Sequence, residues 1–143
     1  MTKLAMPKID RKLISKKMDV IANLKKIIKT ENILAHEDEI RPFETDALSA
    51  YKQKPLIVVF PENTREVSKI LAYCNQERIK VVPRGAGTGL SGGALPLEDS
   101  ILLCLSKFNK IIDIDYKNRC VVAQPGVTNL SITQAVEDKG FYY

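Results

Sequence analysis

The chain has 143 residues, of which 45% are hydrophobic and 27% charged, the balance of a folded globular domain rather than a disordered one. No apolar run approaches the ~18 residues of a membrane-spanning helix, and the lysine-interrupted N-terminus has no apolar stretch of a secretory signal. The net charge of +5 is uneven: residues 1–30 carry nine Lys/Arg against two Asp, and the remainder thirteen against fifteen acidic residues, a solvated helix face with no zinc spacing, no tryptophan and no nucleic-acid motif beside it.

The first element is that basic segment. In "DRKLISKKMDVIANLKKIIKT" the residues Leu13, Ile14, Ile21, Leu24, Ile27 and Ile28 recur at helical spacing. The pattern predicts one helix, capped by Asp10 and ending near Thr30–Asn32. "HEDEIRPFETDAL" loses the period and holds a proline. "PLIVVF" (55–60) is short, apolar and β-branched, and predicts a buried strand. Asn63 or Thr64 then caps a helix, with Glu66 in its first turn and Val67, Ile70, Leu71 and Cys74 on one face. "KVVPR" (80–84) is a second strand. Strand, helix and strand form a βαβ unit, so the two strands are expected to run parallel with a right-handed crossover.

A glycine-rich loop comes next, followed by "SILLCL" (100–105) as a third strand. "KIIDIDY" and "RCVVAQP" flank the turn "KN" and predict an antiparallel hairpin. The closing "TNLSITQAVEDKGFYY" is a short helix capped by Thr128, with Leu130, Ile132, Ala135 and Val136 apolar and Gly140 as its stop. The order predicts an α+β fold, parallel first and antiparallel after. Residues 1–50 read as an N-terminal helical arm and lead-in, and residues 51–143 as the main domain.

The loop "VPRGAGTGLSGGA" (82–94) holds five of the seven glycines, one arginine and no acid. Glycine lets a ligand approach the backbone, and consecutive free N–H groups make a concave site for an anion such as phosphate. The lysine-bearing nucleotide loop is excluded, because no lysine follows these glycines. Gly87, Gly89 and Gly92 spell GxGxxG, but a Rossmann site needs a helix after it, and "GALPLEDS" gives none. A plain surface turn needs one or two glycines. What remains is a loop that binds a diphosphate without a helix behind it. The cysteines Cys74, Cys104 and Cys120 are odd in number and form no CxxC, which points away from a disulfide framework and towards a reducing cytosol. His36 is a lone loop histidine with no assigned role, and the sequon at Asn129 has no secretion signal to make it meaningful.

"VVPRGAGTGLSGGALP" together with "NKIIDIDYKNRCVVAQPGVTNLSITQAVEDKGFYY" resembles the flavin-binding domain of the vanillyl-alcohol oxidase and p-cresol methylhydroxylase superfamily. The similarity is closest to its D-2-hydroxy-acid dehydrogenases, namely the FAD-linked glycolate oxidase large subunit and the D-lactate dehydrogenases. "IRPFETDALSAYKQKPLIVVFPENTREVSKIL" resembles that group's lead-in. The resemblance implies FAD held between two α+β subdomains, the first built on the βαβ unit and the second antiparallel. It implies that Arg84, Gly85, Ala86, Gly87, Thr88, Gly89, Leu90, Ser91 and Gly92 hold the pyrophosphate, and that Pro125 and Gly126 lie against the cofactor. For Arg84 a structural pair with an acid is the alternative to that role. Some members bond FAD through a histidine in this loop; here the loop has none, so FAD is expected to be non-covalent.

In that family the last helix leads into a second glycine-rich segment and then a separate substrate domain carrying the catalytic groups. The resemblance therefore implies the N-terminal part of an oxidoreductase acting on glycolate or D-lactate, with no catalytic residue and no metal site in this stretch. The remaining C-terminal part or another oxidase subunit is the implied protein partner, and nucleic acid is not. The alternative is a truncated, non-catalytic remnant with weak or no FAD binding. The expected location is the cytoplasm, with peripheral attachment at the inner face of the membrane as a variant of it.

Overall fold

The computed structural model of the chain describes residues 7–143. The first six residues, where the expected N-terminal arm begins, lie outside them. A β-strand cannot pair its own N–H and C=O groups, so the apolar segments lie side by side in one sheet. Its strands are β1 (Ile33–Leu34), β2 (Ile57–Val59), β3 (Lys80–Arg84) and β4 (Ser100–Cys104), in the order β1-β2-β4-β3. β2 and β3 both run parallel to β4, while β1 closes the β2 edge antiparallel. The two strands of the expected βαβ unit are thus parallel, with β4 inserted between them.

All five residues of β4 are buried, as a parallel strand covered on both faces requires. Its side chains alternate between two cores. Ile101 and Leu103 join Ile57, Val59, Ile70 and Cys74 on one face, together with Val20, Leu24 and Ile28 from the N-terminal segment. Leu102 and Cys104 join Val58 and Ile40 on the other, with Phe43 and Phe60 packed against them. The first face is covered by α1 (Arg11–Ser15), α2 (Lys17–Leu24) and α4 (Thr64–Glu77), and the second by α3 (Glu37–Ile40) and the 3₁₀ turn Arg41–Phe43.

The N-terminal helix is not continuous. Asp10 caps it as expected, accepting from the N–H groups of Lys12 and Leu13 at 3.0 and 3.1 Å. It breaks at Lys16, whose backbone leaves the helical region (φ −94°, ψ 13°), and α2 ends at Leu24, before the expected stop. α2 brings Val20 and Leu24 onto the sheet, Ile28 follows just past its end, and α1 adds Leu13 and Ile14 at the margin; that packing outweighs the local preference for one helix. Asp99, only 1% exposed, anchors the start of the segment: its Oδ2 accepts from Asp10 N–H and from Lys80 Nζ, both at 2.7 Å. Burial alone would raise this carboxyl's pKa, but the bonds from Lys80 and Asp10 outweigh it, and the net direction is down. The stretch that loses the period, "HEDEIRPFETDAL", holds α3, where the Glu39 carboxylate accepts from His36 N–H at 3.1 Å, and β1 lies just before it.

At the start of α4, Asn63 Oδ1 accepts from Glu66 N–H at 3.0 Å and Asn63 Nδ2 donates to Glu66 Oε1 at 3.0 Å, while Glu66 Oε2 accepts from the N–H of Glu62, one residue before the cap, at 2.7 Å. Ile70 and Cys74 are buried, but Leu71 is 43% exposed, because the stripe meeting the sheet is narrower than the apolar pattern. The second sheet is the hairpin β5 (Ile111–Asp115) and β6 (Cys120–Ala123). Its loop is four residues rather than "KN": the last pair is Asp115 with Cys120, Asp115 Oδ1 accepts from Asn118 N–H at 2.9 Å, and Arg119 takes φ 56°. Then α5 (Asn129–Val136) is capped by Thr128, whose Oγ1 accepts from Ser131 N–H at 3.1 Å, and the segment stops at Gly140 with φ 77°. Ile132 and Val136 are buried, whereas Leu130 is exposed, turned from the side that α5 packs. Among the described residues no helix is long and apolar enough to cross a membrane.

Candidate cofactor-binding loop

Parallel strands align their C-terminal ends, and the segments that leave those ends gather at one edge of the sheet. Arg84, at the end of β3, is in register with Cys104, at the end of β4. The glycine loop leaves the first and the turn Leu105–Phe108 leaves the second, so both lie at this edge.

From Gly85 to Ala94 no backbone N–H donates to another protein atom among the described residues. Thr88 and Ser91 are exposed, as are Gly89, Leu90 and Gly93. Successive N–H groups without a protein acceptor are the donors that an anion-binding nest draws on. Glycine is needed for different reasons along the run. Gly87 and Gly92 have φ of +73° and +74°, where a side chain is disfavoured. A Cβ on Gly89 or Gly93 would meet nothing within 4 Å, so the protein's own packing asks for no glycine there.

Arg84 is intermediate in exposure and turned under the loop. Its Nη1 donates to Thr45 O at 2.7 Å, and its Cζ lies 5.7 Å from the centre of the Phe43 ring. A Cβ on Gly87 would fall on its guanidinium, with Nε at 2.7 Å and Cζ and Nη2 closer still. No acid pairs with Arg84 among the described residues; backbone carbonyls and an aromatic face hold it instead. The charge stays beside the loop, and the fork fixes the loop's course.

The two predicted strips come together. A Cβ on Gly85 would lie 3.8 Å from Pro125 O. Gly126 is set into the turn after β4: its N–H donates to Phe108 O at 2.7 Å, and a Cβ there would meet the carbonyl oxygens of Leu105, Phe108 and Ser106 at 2.6, 2.7 and 3.0 Å. Its need for glycine is met inside the fold.

Residues 43–48, read from sequence only as lead-in, form the floor of the site. Besides Thr45 and Phe43, Leu48 would lie 3.5 Å from a Cβ on Gly92. Asp46 is 5% exposed; Oδ1 accepts from Leu48 N–H at 2.9 Å, and Oδ2 faces no donor among the described residues. No periodicity or spacing marks these contacts, which join positions some forty residues apart. Cys104, buried beside Arg84, has its thiol pKa pushed up to about 11 by burial, against the opposing pull of the guanidinium. No cluster of three metal-ligating side chains occurs among the described residues.

Residues 55–143 match the protein family described as FAD binding domain. The glycolate oxidase subunit GlcD of Escherichia coli (strain K12) is 46% identical over 139 residues, covering 97% of this chain and 27% of that protein. The probable mitochondrial D-2-hydroxyglutarate dehydrogenase of Oryza sativa subsp. indica is 35% identical over 123 residues, 86% of this chain and 22% of that protein. Among solved structures, p-cresol methylhydroxylase with substrate bound superposes with a TM-score of 0.75 at 22% identity, over 88% of this chain and 25% of the other, and shares its fold. The chain thus spans only about a quarter of these relatives' length, 27% and 22%.

Proposed function

This chain belongs to the FAD binding domain family, and from that premise we propose that it supplies the diphosphate-holding part of the FAD site in an oxidoreductase that converts a D-2-hydroxy acid, glycolate or D-lactate, into the 2-oxo acid. The observation that carries the reading is the unbroken run of free N–H groups from Gly85 to Ala94, lying beside Pro125. The donor set fits the group: many donors, no carboxylate in the loop, and open space at Gly89 and Gly93 for close approach. FAD, when bound, accepts the hydride that leaves C2 of the hydroxy acid.

The roles of this chain's residues follow from their chemistry. Amides of Gly85, Ala86, Gly87, Thr88, Gly89, Leu90, Ser91 and Gly92 donate to the diphosphate oxygens, and the hydroxyls of Thr88 and Ser91 add two further donors. Arg84 keeps the loop in shape from below and adds positive charge at short range. Pro125 and Gly126 form the adjoining wall. The loop holds no histidine or cysteine to bond the flavin covalently, which supports a non-covalent association. Removal of the C2 hydrogen, recognition of the substrate carboxylate and contacts to the flavin ring belong to sequence equivalent to the part of the relatives not covered here, on the same polypeptide or a partner. The cytoplasm is the proposed setting, in keeping with three free cysteines, and the basic outer face of α1 and α2 is available to an anionic membrane surface.

Calorimetric titration of the chain with ADP, FAD and riboflavin tests this. The expected result is weak binding of ADP and FAD with similar affinity, none of riboflavin, and no flavin retained through gel filtration. Riboflavin binding as well as FAD, or a folded chain indifferent to ADP, would remove the loop from the site.

A further inference from the structure

One turn, Leu105–Phe108, is hydrogen-bonded on its two sides to the two strips: to the end of β3 from which the glycine loop departs, and to Gly126. On one side Leu105 N–H donates at 2.9 Å to the carbonyl of Arg84, from which the loop departs. On the other side Gly126 N–H donates at 2.7 Å to Phe108 O. The turn is closed by Phe108 N–H donating to Leu105 O at 2.9 Å.

Lys107 sits inside this turn, and its side chain reaches back to the sheet edge. Nζ lies 2.6 Å from Asn32 Oδ1 and 3.2 Å from Glu62 Oε1. Asn32 is 2% exposed, donates through Nδ2 to the same Glu62 oxygen at 3.0 Å, and accepts Phe60 N–H at its carbonyl at 2.9 Å. Lys29 closes on the other Glu62 oxygen at 3.0 Å. A lone exposed ion pair contributes little, because water and salt compete for both partners. Here one end of the cluster is a buried amide fixed to the sheet, and the other is the backbone that spaces the two strips of the site.

We infer that Lys107, held by Asn32 and Glu62, is a positioning residue: it ties the Leu105–Phe108 turn to the sheet edge and so fixes the distance between the glycine loop and Gly126. The ligand meaning of that distance rests on the diphosphate reading above; the joint is measurable without any ligand.

The test is amide hydrogen exchange by NMR on the ligand-free chain. Lys107→Met keeps the apolar stem and removes the charge, and Lys107→Arg is the conservative control. The expected result is exchange at Gly126 faster by about fivefold in Lys107→Met, the upper range for a surface ion pair, with Leu102 and Leu103 unchanged and most of the protection restored in Lys107→Arg. Unchanged exchange at Gly126 overturns the inference, and so does equal acceleration at Gly126 and along β4, which is the signature of a merely structural contact. ADP titration of the same variants separates the two ideas. Weaker binding by Lys107→Met supports both, whereas faster Gly126 exchange in a chain that binds no ADP in any form supports the joint and overturns the diphosphate reading.

Discussion

The guanidinium of Arg84 occupies the space in which a side chain on Gly87 would have to sit. The two residues are therefore matched: the loop folds back over the arginine because position 87 has no Cβ and accepts φ +73°. Gly87→Ala forces a left-handed alanine, costing about 1–2 kcal/mol, and drives Arg84 off Thr45 O. The expected outcome is an unfolding free energy, from urea titration, lowered by that amount, and a fall in ADP affinity. Arg84→Lys weakens the same floor, since an ammonium has no planar fork to stack on Phe43 while donating to Thr45. A Gly87→Ala protein with unchanged stability and affinity would contradict this matching.

Gly126 and Gly89 separate glycine required by the fold from glycine left free for a ligand. At Gly126 a methyl group meets three backbone oxygens between 2.6 and 3.0 Å, none of which can yield without moving the Leu105–Phe108 turn. Gly126→Ala should lose about 2–4 kcal/mol from overpacking and the strained hydrogen bond to Phe108. Gly89→Ala meets nothing and should change stability by no more than about 0.5 kcal/mol. Its effect belongs in the nucleotide titration, as reduced ADP affinity at unchanged Tm. The reverse pattern, a destabilised Gly89→Ala that still binds, would place the diphosphate elsewhere.

Much of this was legible because local chemistry and long-range structure agree. "PLIVVF" and "SILLCL" are short, apolar on both faces and bounded by breakers, the pattern of strands covered on both sides. Asp10, Asn63 and Thr128 announce helix starts because their side chains close the orphan N–H groups of the first turn. The density of glycine marked the loop. The misses share one cause, which is that tertiary packing decided them. The break at Lys16 serves contacts of Val20 and Leu24 with strands that begin more than thirty residues later. Leu71 and Leu130 fit a helical period but face no partner. Thr45, Phe43 and Lys107 act through folding that brings distant segments together, and no spacing rule carries such contacts. For Gly126, the sequence shows the residue type but not the carbonyls of Leu105, Ser106 and Phe108 that require it.

The cysteines should differ sharply in reactivity. Burial pushes the Cys74 and Cys104 thiols up to about 11, so at pH 8 they are almost wholly protonated as well as inaccessible. Cys120 is exposed on the hairpin. Iodoacetamide on the native chain, followed by mass spectrometry, is expected to give a single adduct at Cys120, and three adducts in denaturant. Early labelling of Cys104 in the native protein would show that the end of β4 opens, and with it the floor beneath Arg84.

The cluster around Glu62 has a defined acid limit. Hydrogen bonds from Asn32 first, then Lys29 and Lys107, bring its carboxyl from the ordinary 4.5 down to about 2. A carboxylate depressed by folding binds its proton more readily in the unfolded chain. Its contribution to stability is therefore complete above about pH 4.5 and is lost as pH falls through about 2. A carboxyl ¹³C titration should place the Glu62 midpoint near the lower value. In Lys107→Met the midpoint should rise yet stay below 4.5, because the bonds from Asn32 and Lys29 remain. A wild-type midpoint at the ordinary value would mean that the cluster does not hold in solution, and that the turn carrying Gly126 is set by its own backbone bonds alone.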